Sequence, residues 1–320
     1  MEVIYLLSDV IDYDKLICDD AGPGYSRNMR WNHMYLKNPD LLISIKKRII
    51  VVDNRIQETD IEKINYLIET NPSSIFFLKI VDPYYENCNG HFYYSFLEHA
   101  SQYRNAFLLS VYEPKEITLD LKEKFSDRFL HLPYPYLSSK EVDINTSKKK
   151  KIIISGALNE NVYPYRYSIW KKVTRSFFRF LFKILKHPGY LDLNREYYFK
   201  HPFVKDSYIQ YISKYKYMLL CPSRCKIELL KYNECIYAGA LPVGLPPTSY
   251  PTEIQALFLR LDNSSFNRDL IKIFFSRQSS LIVNRLRRFL DETRNPKTLN
   301  KNLLNFINKY HHLNPNDEFI

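Results

Sequence analysis

Short apolar runs, each the length of one buried strand, recur along this chain with stretches between them long enough for one helix. In the first half the runs fall at 3–7, 49–52, 75–81, 106–111 and 129–132. Unbroken rather than alternating hydrophobicity marks strands covered on both faces, the condition of a parallel sheet flanked by helices. The series restarts at Ile152-Ile153-Ile154 and continues through a helix at about 167–186, a helix near 204–214, a strand at 217–220, a helix from about 226 to 238 and a strand at 241–243. The chain is therefore expected to build two similar α/β halves. Thr59-Asp60-Ile61-Glu62 reads as a capping box opening a first-half helix, and 279–292 and 299–310 read as closing helices separated by Pro296.

The 320 residues suffice for two domains of roughly 100 to 200 residues each. A polar stretch that ends in four lysines, Lys148 to Lys151, places the boundary so that 1–147 form one domain and 148–320 the other. No apolar run approaches the roughly 18 residues of a membrane span, and Met1-Glu2-Val3-Ile4-Tyr5 lacks the basic start of a signal peptide. An intracellular protein is expected. Its five cysteines are an odd number and should be reduced. Cys221, Cys225 and Cys235 cannot complete a structural zinc site, because no His lies between residues 202 and 310.

The net charge of +11 is unevenly divided: residues 1–150 hold 19 Lys and Arg against 22 Asp and Glu, and residues 151–320 hold 27 against 13. A positive field over the second half suits phosphorylated ligands, anionic lipid or nucleic acid, and charge alone does not choose among them. No zinc-finger, RRM or KH signature supports nucleic acid.

Ligands of open α/β sheets bind beyond the carboxyl ends of the strands. There the second half offers Ser155-Gly156-Ala157 and then Tyr163-Pro164-Tyr165-Arg166 at a helix start. Small residues admit a ligand to the backbone, and an Arg at a helix N-terminus suits a phosphate; a turn with a surface Arg is the competing reading. Farther on, a strand ends at Cys221-Pro222-Ser223-Arg224, and a helix follows on which Glu228, Lys231 and Glu234 are three apart. Such spacing shares one side, either as a site in which Lys231 neutralises a diphosphate and Glu234 accepts from a ribose diol, or as an ion-paired solvated face.

The segment from Glu234 through Gly239 to Pro242-Val243 resembles the E-x4-G-x-P-V element in the donor domain of GT-B glycosyltransferases. The upstream 155–166 segment, His187-Pro188-Gly189-Tyr190 and the strand before Ser223 are similar to sugar transferases of bacterial surface-polysaccharide pathways. The resemblance covers roughly 150–250 and implies two Rossmann-like domains facing a cleft. It also implies transfer of a sugar from a nucleotide-activated donor to a glycan or lipid-linked acceptor. Gly156, Ala157, Tyr163, Arg166, His187, Ser223, Arg224, Lys226, Glu228, Lys231 and Glu234 would then form the donor site. No metal or other cofactor would be required, because Lys231, Arg166 and helix N-termini stabilise the departing diphosphate. Lys226 stands where retaining members carry the first Glu of E-x7-E, so stereochemistry does not carry over. The alternatives are an epimerase or hydrolase on the same layout, or a basic protein that binds glycan or nucleic acid without turnover.

On this reading the first half supplies the acceptor side and a catalytic base. Asp82, in Val81-Asp82-Pro83, is the first candidate, with Glu113, in Glu113-Pro114, and Asp20, in the turn-forming loop at 19–25, as the others. Asp9 and Asp53 lie in comparable positions, His33 and His91 are further proton carriers, and a helix cap or turn is the competing role for each acid. Lys172, Arg175, Arg179, Lys183 and Lys186 form a basic stripe on the expected 167–186 helix, with Trp170, Val173, Phe177, Leu181 and Ile184 turned to the core. The stripe suits an anionic membrane surface, which would make the protein peripheral on the cytoplasmic face, or simply solvent.

Overall fold

The computed structural model describes residues 2–80, 91–113, 119–144, 147–185, 187, 204–224, 226–276 and 279–313. Asp82, Cys225 and Lys186 lie outside the described residues, as does the His91 side chain. Contacts divide the chain into two units, Met1–Pro135 with Arg294–Ile320, and Tyr136–Thr293.

The first unit contains β1 (Val3–Leu7), α1 (Gly22–Met29), β2 (Asn32–Tyr35), α2 (Leu41–Ser44), β3 (Ile49–Val52), α3 (Ile61–Thr70), β4 (Ile75–Ile80), α4 (His91–Ala100), β5 (Ala106–Ser110), α5 (Leu119–Phe125) and β6 (Phe129–His131). The strands form one sheet in the order β2-β1-β3-β4-β5-β6, parallel throughout. All residues of β1, β3, β4 and β5 are buried, which is why these strands read as continuous apolar runs. Strand β2 gives no such signal because Asn32-His33-Met34-Tyr35 is an edge strand with two exposed and two half-buried residues. The cap of the first-half helix sits two residues earlier than its sequence pattern suggests: Gln57 and Asp60 form the box, with Gln57 N donating to Asp60 Oδ2 at 2.7 Å.

The second unit contains β7 (Lys149–Ile154), α6 (Pro164–Thr174), β8 (Phe182–Ile184), α7 (Lys205–Ile212), β9 (Tyr215–Leu220), α8 (Leu230–Tyr237), β10 (Leu241–Gly244), α9 (Thr252–Gln255), α10 (Phe266–Phe275) and α11 (Ser279–Arg294). Its sheet is parallel, in the order β10-β9-β7-β8. Gly239, at φ +62°, closes α8 through Gly239 N to Ile236 O and Ala240 N to Cys235 O, both 3.1 Å.

Two expectations are corrected. The 167–186 helix is broken, because α6 ends at Thr174, a 3-10 turn covers Phe177–Leu181 and Phe182–Ile184 pair with β7. The aromatic, β-favouring run Phe177-Phe178-Arg179-Phe180-Leu181-Phe182 does better against a sheet than in a helix, and Phe177 is exposed rather than in the core. The helix expected from about 226 begins only at Leu230, since Lys226 holds φ +57°, so Glu228 does not share a side with Lys231 and Glu234.

The division at 135/136 differs from the 147/148 boundary, because Tyr136 stacks on Tyr237 with ring centroids 4.5 Å apart, and Leu137 N donates to the Tyr237 hydroxyl at 2.7 Å. The final helix, α12 (Pro296–Leu313), belongs to the first unit. Its Phe306 packs on Phe77 and Phe107, its Tyr310 lies 4.8 Å from the Phe107 ring, and its Asn300 accepts from Trp31 Nε1 at 2.6 Å and donates to Met29 O at 3.0 Å. It shares one sheet face with Tyr25 and Trp31, which pack on Tyr5, while residues such as Ile64, Leu67, Phe96 and Leu121 cover the other.

Candidate functional site

In the second unit β7 connects to β8 on one side of itself, and the chain then crosses to β9 on the other. Such a reversal leaves a crevice beyond the carboxyl ends of the two central strands. Ser155 and Gly156 follow β7 there, and Cys221 follows β9.

Gly156 has φ +100°, and a Cβ placed on it would lie 2.5 Å from Arg166 Nη1 and 2.9 Å from Lys231 Cε. The glycine backbone thus touches two cations brought from different helices, α6 and α8. Arg166 is only 1 % exposed, so the surface-Arg reading fails. Its Nη1 donates to Ala157 O at 3.1 Å, its guanidinium lies over the Tyr163 ring at 4.3 Å, and its Nε has no hydrogen-bond partner among the described residues. A buried donor left unpaired costs about 1–3 kcal/mol, which an anionic ligand would recover.

Lys231 Nζ donates to the Tyr208 hydroxyl at 3.1 Å, and that hydroxyl is 2.5 Å from Ser155 Oγ. Glu234 Oε2 is 3.8 Å from the ammonium. Burial works against the lysine's charge, but Tyr208 and Glu234 outweigh it and hold its pKa above the ordinary value. Burial raises the Cys221 thiol more than neighbouring Arg166 lowers it, so the sulfur stays protonated.

Gly156, Ala157, Tyr163, Arg166, Lys231 and Glu234 are therefore brought together. Ser223 is buried in the turn after β9, where it accepts from Lys226 N at 2.9 Å, and Arg224 N ties that turn to Val162 O at 2.8 Å. Arg224 and Lys226 are exposed, and His187 is half-buried beyond β8. Glu228 serves the loop after β10, accepting from Ser249 Oγ at 3.0 Å and the Tyr250 hydroxyl at 3.3 Å. Tyr208 was missed because an aromatic on an amphipathic helix reads as core.

The first unit repeats the logic at its own reversal, between β1 and β3. Asp53, fully buried after β3, accepts from Gly22 N at 2.5 Å and Arg55 N at 2.6 Å, the capping and turn role that competed with catalysis. Asp20 Oδ2 lies 3.5 Å from Arg55 Nη2, and its buried Oδ1 has no hydrogen-bond partner among the described residues. Glu113 is half-buried after β5, and His33 Nδ1 is 3.3 Å from Ser26 Oγ.

Lys79, near the end of β4, was unforeseen, because its neighbours made β4 read as plain core. It is completely buried, donates to Asp20 O at 2.5 Å and Asn54 Oδ1 at 2.9 Å, and lies 4.0 Å from the centre of the Tyr25 ring. Burial lowers its pKa to about 8, against the opposing pull of Asp53 and Asp20. The unfolded chain, with an ordinary lysine near 10.4, therefore binds more protons between these values. The contribution of this group to stability must rise with pH across that window and be smallest below it. Relative to Lys79→Met, the wild-type thermal midpoint is expected to rise between pH 8 and pH 10; parallel profiles would contradict this.

Two parallel-sheet α/β units, each with charged residues gathered at its strand reversal, make a Rossmann-like fold of the kind built by GT-B glycosyltransferases. Among solved structures the chain is similar to TarM, with a TM-score of 0.50 and 13% identity over 83% of this chain and 56% of that one. It also matches the pneumococcal O-GlcNAc transferase GtfA in complex with UDP and GlcNAc, with a TM-score of 0.45 and 13% identity over 85% of this chain and 59% of that one. The chain spans little more than half the length of these structures, and at such identity the likeness to TarM is one of fold. No protein-family model matches the chain, and no curated protein matches it.

Proposed function

We propose that the chain is a glycosyltransferase that moves a sugar from a nucleoside-diphosphate donor to a glycan or lipid-linked acceptor, in assembly of a polysaccharide or glycoconjugate. The observation that carries this reading is the convergence of Arg166 and Lys231 on the Gly156 backbone at the strand reversal of the second unit. Two fixed cations beside a bare stretch of backbone suit a diphosphate, and they suit it best as it leaves with added negative charge. Glu234, 3.8 Å from Lys231, is the proposed acceptor for the ribose diol. These groups take the leaving-group charge, so no metal cofactor is part of the proposal.

The acceptor proton goes to a first-unit carboxylate. Asp20, with its unpartnered buried oxygen, and Glu113 are the candidates among the described residues, and Asp82 remains the candidate from sequence. The proposed location is the cytoplasm, with peripheral attachment to the cytoplasmic membrane face where a lipid-linked acceptor would be met. Among the described residues, no helix is long and apolar enough to cross a membrane.

A panel of nucleotide sugars tests the reading directly. One donor at about 100 times its dissociation constant is expected to stabilise the protein by roughly 2.7 kcal/mol. The same donor should be consumed in proportion to acceptor when an acceptor is supplied. Consumption independent of acceptor would mean a hydrolase or epimerase, and no stabilisation by any member of the panel would remove the donor assignment.

A further inference from the structure

The second unit carries strongly exposed aromatic side chains beside a dense run of positive charge. Residues 161–187 contain seven Lys and Arg and no Asp or Glu. Arg166 is taken up by the site, whereas Lys171, Lys172, Arg175, Arg179 and Lys183 are all exposed. Within this stretch the 3-10 turn Phe177–Leu181 replaces what would have been helix. Three residues per turn bring positions i and i+3 to the same side. Phe177 and Phe180 accordingly stand together, ring centroids 6.1 Å apart, 86 % and 58 % exposed. Phe178, between them, packs against the core and anchors the turn.

A neighbouring helix repeats the composition. Lys172 and Arg268 line one cavity of about 440 Å³, which places the last turn of α6 beside the start of α10. On α10 the exposed residues Arg268, Ile271, Lys272 and Phe275 fall at helical spacing. The nearby acid Asp269 is buried, accepts from Ser265 Oγ at 2.5 Å and Asp262 N at 3.0 Å, and lies 3.8 Å from Arg268 Nε, so it offsets only part of the charge on α10.

Exposed phenylalanines within a run of exposed cations have two needs, an apolar phase for the rings and anions for the charges. An anionic bilayer supplies both at one depth, acyl boundary for the rings and phosphates for the Lys and Arg. A soluble polyanionic glycan satisfies the charges alone and leaves the rings in water. We propose that the Phe177–Leu181 turn is a membrane-insertion device, with Phe177 and Phe180 entering an anionic bilayer and Arg175, Arg179 and Lys183 binding its headgroups. This surface deepens the proposed peripheral attachment and is independent of the donor chemistry, so its failure would remove the membrane location and leave the sugar-transfer reading to the donor panel.

The test is flotation of the full chain with phosphatidylcholine vesicles, with and without phosphatidylglycerol. Wild-type protein floats with the anionic vesicles and is partly released by high salt. Arg175→Glu with Arg179→Glu lowers the partition coefficient at least about tenfold. Phe177→Ser with Phe180→Ser, which keeps every charge, lowers it at least about fivefold. Equal binding to neutral and anionic vesicles would overturn the proposal. So would wild-type binding by the Phe double variant, which would point to a soluble polyanion as the partner. Phe177→Trp gives a second reading that needs no disruptive change: its emission shifts to the blue on anionic vesicles and is quenched by brominated lipid, and an unchanged spectrum refutes insertion.

Discussion

Lys231→Ala is expected to lower affinity for the nucleoside-diphosphate donor at least about tenfold, or about 1.4 kcal/mol, while the protein remains folded. The ammonium is held by Tyr208 and Glu234 beside Gly156, and the substitution removes one of the two cations that meet there. Gly156→Ala should do at least as much without deleting a charge. Its methyl would occupy the point 2.5 Å from Arg166 Nη1 and 2.9 Å from Lys231 Cε, at a φ of +100° that suits glycine. Arg166 is fully packed over Tyr163 and has little room to retreat. Titration calorimetry with the stabilising donor decides the matter. Wild-type affinity in both variants would show that the diphosphate does not sit here.

The largest expected effect on stability belongs to Gly244→Ala. Gly244 ends β10 at φ +118°, opposite Leu220 of β9 in the parallel register. An added Cβ would land on the Leu220 carbonyl oxygen, with the Tyr165 ring 3.1 Å away. Neither neighbour can move cheaply. The carbonyl belongs to the sheet and accepts from Leu245 N at 3.1 Å, and the Tyr165 hydroxyl donates to Leu261 O at 2.5 Å. Backbone strain and the clash together should cost at least about 3 kcal/mol. Urea unfolding measures it, and a loss below about 1 kcal/mol would show that the strand end relaxes.

The buried strands were legible because burial on both faces writes hydrophobicity continuously. Val3–Leu7 and Ile49–Val52 appear in the structure with the limits their apolar runs suggest. Asn32–Tyr35 was not legible, because an edge strand needs only one partner and no apolar signature. The aromatic run after Ser176 misled through its period, since Phe at helical spacing on a basic helix and Phe in a turn leading to a strand are alike in one dimension. In the candidate site, small residues after β7 and the Lys231–Glu234 pair were visible as local patterns. What brings Arg166 and Lys231 to one glycine is the crossing from β8 to β9, a long-range relation that no local spacing records. Lys79 was hidden for the opposite reason, as a single polar residue inside an apolar strand.

The return of α12 to the first unit has a consequence for synthesis on the ribosome. Residues 1–135 emerge first but lack Phe306 and Tyr310, which cover Phe77 and Phe107. The whole second unit, Tyr136–Thr293, must be translated before that cover exists. At about 5–20 residues per second this is a delay of roughly ten to thirty seconds. During it Phe77 and Phe107, on a face that Tyr25 and Trp31 cover only at Tyr5, are open to chaperones or to aggregation. The second unit, continuous in sequence, can finish folding while the first is still waiting for its lid of aromatic side chains.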